Sequence, residues 1–145
     1  NNLCIKNFFA SQNGNDIYQV FEFMETDLHA VIRAGILEDI HKKYIIYQLL
    51  KAVHFMHSGN IVHRNIKPCN LLIDSGCNLK VTDFEIAKCL DNFGQYLEEK
   101  SPLLSDYVVT RWYNDPSVLL GGKYSKGYDL WAVGCIMGEL FTRKP

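Results

Sequence analysis

The segment "KGYDLWAVGCIMGELFT", Lys126 to Thr142, sets the tightest limit on how this chain folds. Wound at helical pitch, it carries apolar residues on nearly every side, and a helix without a polar face belongs inside a fold. Its most apolar run, Leu130 to Gly138, is far too short to cross a bilayer. A central helix is therefore expected, with other elements packed around it. The 145 residues are enough for one ordinary domain, and 48% hydrophobic with 21% charged content is that of a globular protein.

The net charge is −1, so charge points to neither nucleic acid nor an anionic membrane as a partner. The basic run His41 to Lys43 reads as a solvated helix face. Five cysteines are present, an odd number without C-x-x-C spacing. Buried or half-buried free thiols in a reducing, intracellular compartment are expected, and no Cys/His spacing fits zinc. The chain opens inside an expected strand, without Met or a leader, and closes directly after a helix. Both ends read as cut, so a fragment is expected.

"LCIKNFFA" (Leu3 to Ala10) and "DIYQVFEF" (Asp16 to Phe23) are rich in β-branched and aromatic residues around the turn "SQNGND". They are expected to pair antiparallel. Asp27 is placed to cap a short helix that Gly35 closes. Glu38 to Ser58 has helical periodicity, with Ile40, Tyr44, Tyr47 and Leu50 as the repeating apolar set and Ile46 and Val53 beside them. That breadth predicts a largely buried helix. "LLI" (Leu71 to Ile73), "DSG" and "NLKVTDF" (Asn78 to Phe84) predict a second hairpin. Glu85 to Pro116 has little periodicity, and loops of that length are often functional.

Three motifs follow one another in that frame. "HRNIKPCN" (His63 to Asn70) resembles the kinase loop H-R-D-x-K-x-x-N. "TDFEIAK" (Thr82 to Lys88) resembles the D-F-G turn, and "SDYVVTRWYNDPSVLL" (Ser105 to Leu120) resembles the lip and substrate-docking segment of mitogen-activated protein kinases. "FEFMETDLHAVIRAGILEDIHKKYIIYQLLKA" (Phe21 to Ala52) is also similar to that family, above all to its atypical extracellular-signal-regulated branch. The resemblance covers essentially the whole chain. It implies an α+β, protein-kinase-like fold that is truncated. Residues 1–24 would be the end of the small lobe and the hinge, and 25–145 an incomplete, mainly helical large lobe.

The resemblance also implies roles. Phosphoryl transfer needs phosphates, metal and hydroxyl held in line with their charge neutralised. Asp83 and Asn70 would hold Mg²⁺, a hard cation suited by oxygen ligands. Lys67 would meet the transferred phosphate of ATP, and Thr110 would brace the loop. Leu72 would form the adenine floor, Glu22 and Met24 would offer hinge backbone groups, and Phe21 would be the gatekeeper. Ser105 and Tyr107 would accept phosphate from an upstream dual-specificity kinase, gripped by Arg64, Lys88 and Arg111. His63 and Phe84 would be structural. Asp129 would accept backbone N–H bonds around His63 and Arg64. Protein substrates and a cytoplasmic or nuclear location follow from the same likeness.

The pattern is broken in several places. Asn65 stands at the catalytic-base position, and a neutral amide cannot take the substrate's proton. Losing a positioned base costs roughly 10²–10⁴ in rate. Glu85 stands where the metal turn carries glycine. Backbone strain of about 1 kcal/mol is expected there, with like-charge repulsion of roughly 3 kcal/mol per unit charge at about 6 Å. Asn114 and Ser117 replace an arginine and a glutamate of the docking segment. Neither a glycine-rich loop nor a V-A-I-K lysine precedes the first strand. The expectation is a mitogen-activated-type Ser/Thr kinase fragment with little or no catalysis and weak or absent Mg-ATP binding. The alternatives are a non-catalytic interaction module or a piece of a longer, weakly active kinase.

Overall fold

The computed structural model describes residues 2–90, 111–121 and 125–145. Strands β1 (Ile5–Ala10) and β2 (Ile17–Phe21) form the expected antiparallel hairpin, in register from Ala10 opposite Ile17 to Asn7 opposite Val20, with a shift before Ile5 meets Phe21. Gly14 at φ 71° supplies the left-handed residue of its turn. Both strands are exposed along their length. The hairpin is tied to the rest of the chain by Leu3, whose N–H donates to the Val81 carbonyl at 2.9 Å. An ion pair of Glu22 with Lys80 at 3.0 Å adds a second tie.

A three-stranded sheet follows, in the order β3 (Thr26–Asp27), β5 (Leu71–Ile73), β6 (Leu79–Val81). Its β5–β6 pair is the second hairpin read from the sequence. Asp27 then caps α1 (Leu28–Ala34), accepting from the Ala30 N–H at 2.9 Å, and Gly35 ends it at φ 67°. Both residues act as their types predict.

Helix α2 (Asp39–Ser58) begins where expected, with the Glu38 N–H donating to His41 Nδ1. Its buried face is not the one the apolar spacing picked out. Ile40 is 65% exposed and Tyr47 57% exposed, with Tyr44 and Leu50 also outward, while Ile45, Gln48, Leu49, Ala52, Val53 and Met56 are buried. Two apolar stripes share this helix, and the second packs against β6 and the last helix of the chain. Gln48 explains part of the choice. Its amide donates to the Cys77 carbonyl at 2.7 Å and accepts from the Leu79 N–H at 3.0 Å, which seats β6 on α2.

The described part of the segment after β6 is not wholly irregular. β7 (Lys88–Cys89) pairs with β4 (Ile61–Val62), and α3 (Pro116–Leu119) is capped by Asp115, which accepts from the Ser117 N–H at 2.8 Å. Pro116 occupies the first turn of that helix, where its missing N–H costs nothing. Helix α4 (Lys126–Thr142) packs against α2 and joins the core through Ala132, Val133, Ile136 and Leu140. Leu130, Trp131, Met137 and Phe141 on it are about half exposed. The helix is thus central on one side only, short of the full burial its composition predicts.

Candidate active site

The loop His63 to Asn70 is held from below. Asp129, fully buried on α4, accepts the His63 N–H at 2.9 Å and the Arg64 N–H at 3.0 Å. This is the anchoring expected of it. His57, at the end of α2, adds a third contact to the same carboxylate, Nε2 to Oδ2 at 2.9 Å. Three polar partners compensate a carboxylate that would otherwise be costly to bury. Arg64 has φ 70°, and the anchoring on both sides of it stabilises that left-handed turn.

His63 is buried and uses both ring nitrogens. Nε2 lies 3.0 Å from the Thr82 carbonyl and Nδ1 is 3.2 Å from the Asn65 N–H, which fixes the neutral tautomer with its proton on Nε2. Burial holds its pKa below the usual histidine range, partly offset by the Thr82 carbonyl and by Asp129 and Asp83. Phe84 meets its ring edge-on at 4.8 Å. His63 therefore links the catalytic-type loop to the metal-type turn.

Asn65, Asn70 and Asp83 come together. The Asn65 amide donates to Asp83 Oδ2 at 2.8 Å, and the Asn70 amide donates to the same oxygen at 2.9 Å and to the Asn65 carbonyl at 2.9 Å. Asn70 sits in the 3₁₀ turn Pro68–Asn70, whose backbone joins that of Thr82 through a 3.0 Å bond. Asp83 lies at φ 65°, a left-handed conformation that Asp tolerates better than most residues. Glu85 is exposed and is not among the residues of positive φ, so the strain expected at its glycine position is not found. The turn takes its left-handed residue two positions earlier, which leaves room for a side chain at 85.

Two oxygen-bearing side chains, Asp83 and Asn70, fit a Mg²⁺ site of the kind that completes its shell with water and phosphate. Among the described residues no cluster of three or more His, Cys, Asp or Glu could hold a metal by itself. Lys67 lines a shallow cleft with Arg64, Asn65, Tyr113, Asn114 and Tyr128. Leu72 is half-buried in β5, opposite Asp27 and Lys80, while Phe21 ends β2 and Glu22 and Met24 lie between β2 and β3. The lysine partner holds the Glu22 carboxyl below its usual range. Lys88 lies in β7 and Arg111 opens the 3₁₀ turn Arg111–Tyr113. Thr110, Ser105 and Tyr107 lie outside the described residues.

Sequence reasoning missed a second set of polar contacts. Tyr113 donates its hydroxyl to Glu139 at 2.5 Å, with both residues buried. Burial and the Glu139 carboxylate push the Tyr113 pKa well above the usual phenol range. Tyr128 donates to Asn114 at 2.8 Å, so the residue that replaces the family's arginine is tied to α4. Glu139 in a largely apolar helix was the available signal, because a buried charge demands a partner.

The order and packing of these two segments are those of a protein kinase domain. The protein kinase domain profile matches residues 3–145, and the chain belongs to the protein kinase family. Its relatives are mitogen-activated kinases. It is 56% identical to extracellular signal-regulated kinase 2 of Dictyostelium discoideum over 95% of the chain and 37% of the relative. It is 52% identical to mitogen-activated protein kinase 15 of Xenopus laevis over 96% of the chain and 24% of the relative. For extracellular signal-regulated kinase 7 of Drosophila melanogaster the identity is 50%, over 94% and 15%. The chain thus spans well under half the length of these relatives.

Proposed function

We propose that this chain is part of a mitogen-activated-type Ser/Thr protein kinase in which phosphoryl transfer is strongly impaired. The observation that carries the reading is Asn65. Its amide donates to Asp83 where a base would have to accept a proton. Losing that base costs roughly 10²–10⁴ in rate, or about 3–5 kcal/mol of barrier.

Around it, the remaining residues keep their parts. Asp83 and Asn70 would hold Mg²⁺, which when bound would neutralise the phosphates of ATP. Lys67 would supply a further positive charge from the cleft beside Asn65. Phe21, Glu22, Met24 and Leu72 would border the adenine. Ser105 and Tyr107 would take phosphate from an upstream dual-specificity kinase, with Arg64, Lys88 and Arg111 as their partners and Thr110 bracing the loop. Protein substrates and an intracellular location belong to the same reading.

A second reading, a non-catalytic interaction module, is favoured by the outward apolar residues of α2 and α4. The test is transfer of labelled phosphate from Mg-ATP to a generic basic protein. Incorporation at the no-enzyme level supports the impaired kinase. Turnover in the ordinary range for kinases, about 1–100 s⁻¹, overturns it.

A further inference from the structure

Asp83 Oδ2 accepts two amide N–H bonds, from Asn65 at 2.8 Å and Asn70 at 2.9 Å. An ionised carboxylate has no proton to give, so each amide must turn its nitrogen toward it. Asn70 is locked that way a second time, because the same nitrogen donates to the Asn65 carbonyl. One of the two carboxylate oxygens of Asp83 is therefore covered by two partial positive charges.

We propose that Asn65 is a built-in occupant of the metal seat: its amide holds Asp83 in the absence of a cation, and a divalent ion must displace it to reach Oδ2. The inference rests on reading Asp83 as the metal carboxylate. The chemistry of the alternative residue shows why the amide matters. An aspartate at position 65 in the same rotamer would set a second carboxylate against Asp83, in place of the amide that now lies 2.8 Å away. Two like charges at that distance need a cation or a proton between them. The amide removes that need, and its bond to Oδ2 holds the Asp83 side chain. The neighbouring backbone is clamped independently, by the Thr82 N–H on the Asn70 carbonyl at 3.0 Å and by His63 on the Thr82 carbonyl at 3.0 Å. Displacing the Asn65 side chain therefore leaves the turn in place for an incoming ion. Asn65 is in this sense a positioning residue that sets how readily the seat is filled.

The test is Mn²⁺ binding to the full chain by calorimetry, paired with melting temperatures, for the unaltered chain and the Asn65→Ala, Asn65→Asp and Asp83→Asn variants. Asn65→Ala removes the occupant and adds no charge. It should bind Mn²⁺ about tenfold more tightly than the unaltered chain, the worth of one hydrogen bond to a charged group. Asn65→Asp should bind more tightly still. Both should melt lower without metal and recover with saturating Mn²⁺, and Asp83→Asn should abolish the gain in either background. A merely structural asparagine would lower the melting temperature without tightening the metal. Asn65→Asp, nearly isosteric, carries the test if the alanine variant does not fold.

If neither Asn65 variant gains affinity while Asp83→Asn still weakens binding, the occupant is wrong and the metal reading stands. If the gain survives Asp83→Asn, both are wrong. No binding in any variant also overturns the occupant. Phosphate transfer is not part of the readout, so an active chain would refute the impaired-kinase reading without touching this one.

Discussion

The Asp129 carboxylate accepts the backbone N–H of Arg64 at 3.0 Å across 65 positions of sequence, and through this contact α4 holds the catalytic-type loop in its left-handed turn. His63 N–H and His57 share the same carboxylate. Asp129→Ala leaves these donors unpaired or rehydrated at a fully buried position, at about 1–3 kcal/mol for each unsatisfied group. Urea melts should show a loss of roughly 3 kcal/mol or more. A loss under about 1 kcal/mol would mean that the loop is held by something else.

Acid should loosen the same region. In the unfolded chain His63 titrates near 6.5, and in the fold burial depresses it. The stability tied to the neutral ring is fully present above that unfolded value and is lost as pH falls through the folded one. One site gives a slope of at most about 1.4 kcal/mol per pH unit. His63→Phe keeps a ring against Phe84 and removes the titration. The gap in unfolding free energy between the unaltered chain and this variant should narrow from pH 7.5 to pH 5.5. A gap that stays constant would show that His63 is not the acid-sensitive group.

Tyr113 and Glu139 make the opposite prediction at alkaline pH. The phenol ordinarily titrates near 10, and here it is raised. The neutral form is favoured in the fold, so stability is present below about pH 10 and declines above it, where the unfolded phenol ionises first. Tyr113→Phe should flatten this alkaline decline. At pH 7 it should cost about 1–3 kcal/mol, because Glu139 stays buried without its donor. An alkaline profile unchanged by the substitution would contradict the assignment.

The outward stripes of α2 and α4 bear on association. Ile40, Tyr44, Tyr47 and Leu50 on one helix and Trp131, Met137 and Phe141 on the other are all more than 40% exposed. Covering about 400 Å² of such surface is worth roughly 10 kcal/mol before the costs of assembly. Size-exclusion chromatography should show self-association, and Ile40→Lys with Tyr47→Lys should raise the monomer fraction. A stable monomer at high concentration, indifferent to these changes, would remove this support for an interaction module.

Much of the fold was legible because local chemistry and tertiary structure agree. Asp27 and Gly35 bound α1 as residue types at helix ends predict, and α2 begins within one residue of the expected Glu38. The two hairpins fall where turn residues interrupt β-rich runs. The α2 face was misread because Ile40, Tyr44, Tyr47 and Leu50 repeat as regularly as the residues that are buried. Only the partner surface, with Gln48 bonded to Cys77 and Leu79, decides between the two stripes. At the site, the bonds of Asp129 to the His63 and Arg64 N–H groups, and the closeness of Asn70 to Asp83, match the placement expected from the order of the motifs. That Asn65 would turn its amide onto Asp83, and that Glu85 would escape a left-handed backbone, depend on where two loops meet.

Asn65, in the loop that Asp129 anchors, is proposed to leave the architecture of the loop intact while removing its chemistry. The most direct measurement compares labelled phosphate transfer by the unaltered chain and by Asp83→Ala, with Mg-ATP and a basic substrate, over a range of chain concentrations. The account predicts incorporation that does not rise with concentration in either protein and cannot be told from the blank. Incorporation that scales with the unaltered chain and disappears with Asp83→Ala would contradict it.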